Sequence, residues 1–300
     1  MTPISQLLSP QPALPVIALN LPALFLSDLH LGSRMTLVRS VESLSPLLDG
    51  FKSVVFCGDT IDTFHWPDAT SDERAKTAEC AKNELIRLLE KLAVRPVFIT
   101  GNHDPDISNI HACAAQPVPA RQILATHGDL FTLDIASWSA PLQGIADWFI
   151  ARADAEGRRI NRMLPDDLDW VRQRYLEFVR VAPERRNINA KDRSFYIQLL
   201  HKIARPWLIW RVFRERYRCH QLADAFATMR EPGADLCFFG HYHYPKIKRS
   251  GNRYNVCLGS FTHLSRPLGG VVRSDGQTDI RMIRKTKTGW RLDKTIAVIG

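Results

Sequence analysis

Aspartate, histidine, asparagine and glycine recur in five short clusters: Asp28-Leu29-His30, Gly58-Asp59, Gly101-Asn102-His103-Asp104, His127-Gly128-Asp129 and Gly240-His241-Tyr242-His243. Each closes an apolar run, as Leu236-Cys237-Phe238-Phe239 does before Gly240. A single histidine at a strand end is usually an ordinary polar group, so one cluster alone is a modest metal signal. Five of them together supply imidazoles, carboxylates and an amide oxygen, the donors a two-metal hydrolytic site requires. Two divalent ions about 3.5–4 Å apart lower the pKa of a shared water and clamp a transferring phosphoryl group. Such a pair needs one carboxylate between the ions, and a mixed nitrogen and oxygen donor set suits Mn, Fe or Zn better than Ca.

These clusters have to be carried by strands. The pattern predicts strands at Ala23–Leu26, Phe51–Phe56, Arg95–Thr100, Ile123–Thr126, Leu236–Phe239 and Arg253–Leu258. An edge strand at Val16–Leu19, a hairpin at Ser274-Asp275-Gly276 and a last strand at Lys294–Val298 complete the set. Read as extended chain, Asp28 and His30 alternate onto one side and reach one ion. Helices are predicted at Thr36–Leu48 and Asp72–Leu92, the second with a stripe of Leu85, Leu88, Leu89 and Leu92. Strands alternating with helices argue for a layered α/β fold. From 133 to 230 the strand pattern gives way to helical spacing rich in Arg and Trp, including Arg158-Arg159, Arg185-Arg186 and Trp207 to Arg214. This stretch is predicted to be a basic helical insertion (cap) within a catalytic domain formed by 22–132 and 231–300. Residues 1–21 read as a loose leader.

Taken in order, Asp-x-His, Gly-Asp, Gly-Asn-His-Asp, His-Gly-Asp and Gly-His-x-His resemble the five signatures of the calcineurin-like metallophosphoesterase superfamily. The resemblance covers about Ala23–Asp129 and Asp235–Thr262. It implies a four-layer α-β-β-α sandwich with the site at the strand ends. It also implies that Asp28, His30 and His243 hold one ion, that Asn102, His127 and His241 hold the other, and that Asp59 bridges them. His103 would donate to a phosphoryl oxygen or protonate the leaving group, with Asp104 orienting its imidazole. The implied reaction is hydrolysis of a phosphodiester or pyrophosphate by a hydroxide shared between two divalent ions, Mn ahead of Fe or Zn. The helical stretch after His-Gly-Asp resembles the UDP-2,3-diacylglucosamine pyrophosphatase branch, although that branch usually carries Arg where this chain has His103. A lipid-linked nucleotide, or another small phosphorylated molecule, is the substrate this implies.

Length and composition are consistent with this assignment. The 300 residues are 45% hydrophobic and 24% charged, ordinary for a soluble globular chain. A net charge of +9 points to an anionic partner: a phosphorylated substrate, an acidic membrane surface or, less favoured, a nucleic acid. Six cysteines without a C-x-x-C pair suggest a reducing compartment, and the proline-broken start does not read as a signal peptide. The expectation is a cytoplasmic enzyme, peripheral to the inner membrane if the basic stretch meets lipid. Asp129 and Asp134 read as helix caps, and Asp62 as a turn or cleft residue. His65, His111, His201, His220 and His263 read as ordinary histidines. The rival functions are a nuclease and a non-catalytic scaffold of the same fold, the latter marked by lost ligands, of which there are none.

Overall fold

A computed structural model describes residues 13–63, 71–118, 121–136, 144–181, 206–263 and 265–300. Within them, two six-stranded mixed sheets lie face to face. One has the order β12-β11-β10-β2-β3-β4 and the other β1-β5-β6-β7-β9-β8. The first is built from β2 (Ala23–Leu26), β3 (Ser53–Cys57), β4 (Arg95–Ile99), β10 (Leu268–Val272), β11 (Thr278–Thr286) and β12 (Gly289–Ile299). The second holds β1 (Val16–Ala18), β5 (Ala112–Val118), β6 (Arg121–Thr126), β7 (Leu236–Phe239), β8 (Lys246–Ser250) and β9 (Arg253–Cys257).

Strands β2, β3 and β7 are buried along their whole length, as near-continuous apolar runs must be when both faces are covered. Alternation then divides the side chains. Phe25, Val55, Cys57, Leu236 and Phe238 point between the sheets, where Phe25 and Phe238 stack with ring centroids 4.6 Å apart. Leu24, Leu26, Val54 and Phe56 point outward, onto α1 (Ser45–Leu48) and α2 (Ser71–Lys91). On the opposite outer face, Cys237 and Phe239 share one core with α3 (Ile145–Ala155), α4 (Leu168–Val181) and α5 (Pro206–Arg230). The layering is therefore helix, sheet, sheet, helix. The described helices of 133–230 form the second outer layer, and among the described residues no separate cap stands apart from it.

Parallel pairing gives this frame its use. β2, β3 and β4 are mutually parallel, as are β6, β7 and β9, so each set delivers its following loops to one edge. Four other elements differ from the sequence expectation. The helix expected over Thr36–Leu48 shrinks to a 3-10 turn at Val41–Leu44 followed by α1. Thr36 spends its hydroxyl on the Leu29 carbonyl (2.7 Å) and bridges Thr262, and Pro46 is tolerated only in a first turn. Strand β5 carries no strand signal in sequence because Ala-Cys-Ala-Ala has little strand propensity; its place is set by pairing with β1 and β6. Strand β8 was not anticipated, and β12 runs longer than the expected Lys294–Val298.

Candidate metal centre at the strand ends

Five of the candidate ligands sit in left-handed backbone: Asp28 (φ 53), His30 (φ 49), Asp59 (φ 49), His241 (φ 65) and His243 (φ 50). Non-glycine residues pay roughly 1–2 kcal/mol each for this conformation, and such strain clusters at functional sites. Asp28 and His30 therefore do not alternate along an extended segment. The chain curls at each of them, and cross-loop hydrogen bonds hold the curl. The Asp28 amide donates to the Gly58 carbonyl (3.1 Å), the His30 amide to Asp59 (2.9 Å) and the Gly240 amide to His127 (2.9 Å).

The side chains converge. His243 Nε2 lies 3.0 Å from Asp28 Oδ1 and 3.3 Å from His30 Nε2. His127 Nε2 lies 3.3 Å from both Asp59 Oδ2 and Asn102 Oδ1, and His241 Nδ1 lies 2.9 Å from that same amide oxygen. Asp59 Oδ2 stands between the groups, 3.8 Å from His30 Nε2 and 4.0 Å from His103 Nε2. Donor atoms of Asp28, His30 and His243, and of Asp28, Asp59 and His127, fall within 4.8 Å of one another. Close approach of backbone makes this density feasible. A Cβ on Gly240 would meet Asp28 Oδ2 at 2.0 Å, and one on Gly101 would meet Asp59 Oδ1 at 2.2 Å.

Tautomers set by the far ring nitrogens fit a cation at the centre. His127 Nδ1 donates to the Cys57 carbonyl (2.9 Å) and His241 Nε2 to the Ile135 carbonyl (2.8 Å). Rings fixed in this way turn their other nitrogens toward Asn102 Oδ1, a pattern of outer hydrogen bonds typical of metal-ligating histidine. The charges agree. Burial opposes ionisation of Asp59, yet His127, His103 and His30 outweigh it and hold its carboxyl well below the usual range. Burial likewise opposes charge on His30, but Asp62, Asp59 and Asp28 raise it to about 9. For His127, burial is overcome chiefly by Asp59, and the ring is pushed well up. His241 goes the other way, to about 3, through burial and the nearby His127. Positive charge is thus in demand at Asp59, and divalent ions meet the same demand.

The chain matches the calcineurin-like phosphoesterase family over residues 21–245. It belongs to that family. It is a metal-dependent phosphoesterase whose His and Asp donors are intact. No curated protein matches it. Solved structures with a distant likeness include a single-mutant Vps29 from Entamoeba histolytica, at 12% identity and TM-score 0.44, covering 92% of this chain and 99% of that one. The phosphoesterase YfcE from E. coli gives 14%, 0.41, 92% and 97% in the same order. A dimetal phosphatase from Danio rerio gives 11%, 0.40, 87% and 96%.

Within this phosphoesterase, two expected roles change hands. His103 Nδ1 pairs with Asp62 Oδ1 at 3.1 Å, and the other Asp62 oxygen lies 3.5 Å from His30 Nδ1. Asp62, expected to be a turn or cleft residue, is thus the carboxylate beside His103. Asp104 instead accepts backbone amides from Asp59 (3.0 Å), Thr60 (2.7 Å), Ile61 (3.1 Å) and Gly101 (2.8 Å). It ties the Asp59 loop to the Asn102 loop, while burial and the Asp59 charge push its own carboxyl up to about 7. Sequence reasoning also missed Ser27, whose hydroxyl lies 2.5 Å from Asp28 Oδ2, and Tyr175, which donates to the Asn102 carbonyl at 2.9 Å. A lone serine or tyrosine carries no spacing signal. Elsewhere, Asp129 opens a 3-10 turn and Asp134 pairs with Arg162 at the surface. His220 bonds the Lys246 carbonyl, and His263 is exposed. His65 and His201, with Arg185-Arg186, lie outside the described residues.

Proposed function

We propose that this phosphoesterase hydrolyses a phosphodiester or pyrophosphate bond with two divalent ions, Mn ahead of Fe or Zn. Asp28, His30 and His243 would hold one ion and Asn102, His127 and His241 the other, with Asp59 as the carboxylate the two would share. When bound, the ions supply an ionised water at neutral pH and cancel charge on the phosphoryl oxygens. His103, half-buried at the rim, donates a proton from Nε2 to the phosphoryl or leaving-group oxygen. Asp62 holds that ring by Nδ1, 3.1 Å away. Asp104 keeps the Asp59 and Asn102 loops in register. The single observation that carries this reading is Asp59 Oδ2, one buried oxygen within 4.0 Å of ring nitrogens from His30, His103 and His127.

For the substrate we favour a lipid-linked nucleotide such as UDP-2,3-diacylglucosamine, taken by a catalytic unit of 22–132 and 231–300 with 133–230 inserted. Support comes from the outer face of α5. Trp210, Phe213 and Tyr217 are 61%, 64% and 75% exposed at helical spacing, with Arg214 stacked on Trp210. At the site edge, Arg216 and Lys246 lie over Tyr244, the residue after His243. Aromatic and cationic side chains on one helix face suit an amphiphilic anion and the surface of an anionic membrane. No described helix is long and apolar enough to cross a membrane. All six cysteines are free thiols, which suits the cytoplasm. The same aromatic and arginine face favours single-stranded nucleic acid as the second reading.

A substrate panel with Mn-loaded enzyme separates these. Release of UMP from UDP-2,3-diacylglucosamine, faster than cleavage of an aryl phosphodiester or single-stranded DNA, is the expected result. An inert lipid nucleotide beside rapid DNA cleavage would overturn the substrate assignment in favour of the nuclease.

A further inference from the structure

The two ligand groups are anchored differently. Tyr175 of α4 is buried, and its hydroxyl donates to the Asn102 carbonyl at 2.9 Å. One turn earlier on that helix, Arg172 donates from Nε to the Pro105 carbonyl (3.1 Å) and from Nη2 to the Ser108 carbonyl (2.6 Å). One helix face thus grips three carbonyls of the segment 102–108. His241 is also held from this side of the molecule, by its 2.8 Å bond to the Ile135 carbonyl. Ile135 sits at φ 39, a conformation β-branched residues rarely adopt. Strain of this kind persists only where the surroundings over-determine it, and here the strained residue carries the carbonyl that fixes the His241 ring.

Among the described residues, no helix side chain hydrogen-bonds Asp28, His30 or His243 themselves. The hydrogen bonds and ion pairs of Asp28, His30 and His243 themselves run to Ser27, Ser33, Gly58, Asp59, Asp62, His241 and Phe261, all on the strand-end loops, and α5 comes only to the next residue, where Arg216 lies over Tyr244. The donors also differ in kind. Asp28 brings a full negative charge to the first group. The second brings two ring nitrogens and the Asn102 amide oxygen, whose contribution depends on how the side chains are oriented.

We infer that the helical layer, through Tyr175, Arg172 and the Ile135 carbonyl, selectively sets the affinity of the ion held by Asn102, His127 and His241. It leaves the ion at Asp28, His30 and His243 largely untouched. Tyr175 and Arg172 are positioning residues: they act on the ion through Asn102 and touch neither it nor the substrate. The inference rests on the ligand grouping proposed above.

The test is titration of the metal-free chain with Mn alone, followed by calorimetry and electron paramagnetic resonance, in the native chain, Tyr175→Phe and Arg172→Gln. The native chain is expected to take up two ions per chain and give the spectrum of a spin-coupled pair. In Tyr175→Phe one binding step keeps its affinity. The other weakens about tenfold, the lower end for loss of an outer partner, and an isolated-ion spectrum persists to higher Mn. Arg172→Gln shifts the same step in the same direction, and carries the test if Tyr175→Phe does not fold. Equal weakening of both steps, or no change of either in both variants, would overturn the inference. Fewer than two ions in the native chain would instead refute the ligand grouping on which it rests.

Discussion

Asp62 shows how residue identity and residue role part company. Its position three residues after Asp59 marks it as a turn or cleft residue, and nothing in the spacing says which histidine it meets. In the folded chain it faces His103 at 3.1 Å and His30 at 3.5 Å. Asp104, adjacent to His103 in sequence, is turned away onto four backbone amides. The residues that converge at the strand ends were legible because imidazole, carboxylate and amide donors are few in kind and follow apolar runs. Hydrogen-bond partners were not, because the left-handed curls at Asp28, His30, Asp59, His241 and His243 decide where each side chain points. Asp62→Asn leaves an uncharged partner for His103. At saturating Mn its kcat is expected to fall about 10–100-fold, the scale for losing an outer partner. Steady-state kinetics with the Mn content measured in parallel checks this. Native kcat in a fully loaded Asp62→Asn would remove Asp62 from the mechanism.

Among the elements, the fully apolar strands β2, β3 and β7 were readable because burial on both faces leaves an unbroken run. The 3-10 turn and short α1 were not, because Thr36 and Ser43 engage the backbone with their own hydroxyls. Strand β5 was hidden by its alanines. Helix α4 has a role that periodicity alone does not reveal: its Asp169, Arg172 and Tyr175 face the loop that carries Asn102. His111 reports on that contact. It bonds Thr100 Oγ1 at 2.9 Å and lies 3.5 Å from Asp169. Burial, then the Arg172 charge, lower its pKa to about 4. The folded state therefore keeps the ring neutral while the unfolded chain, with the ordinary histidine value of 6.5, takes up a proton first. Stability from this group is complete above pH 6.5 and is lost as pH falls toward 4, on the order of 3 kcal/mol. Denaturant unfolding at pH 7.5 and at pH 4.5 should show a smaller loss in His111→Gln than in the native chain. An identical loss in both would contradict it.

At the scale of the molecule, two sheets with parallel inner strands bring the loops after β2, β3, β4, β6 and β7 to one place, which distant sequence clusters could only suggest. The +9 charge suits a site that handles phosphate, and α5 adds exposed aromatics with Arg214 over Trp210 on its outer face. The segment 133–230, expected as a cap, supplies an outer layer in its described helices and reaches the site through Tyr175 and Ile135. That dual use was not legible in the sequence, since helical spacing shows an apolar face without saying which sheet it covers. Asp59 is the carboxylate we propose the two ions would share in one hydrolytic centre. The most direct measurement is Mn stoichiometry together with turnover of an aryl phosphodiester, in the native chain and in Asp59→Ala. Two ions per chain with hydrolysis in the native protein, and loss of at least one ion together with turnover in Asp59→Ala, is the predicted result. An Asp59→Ala protein that keeps both ions and native turnover would contradict the account.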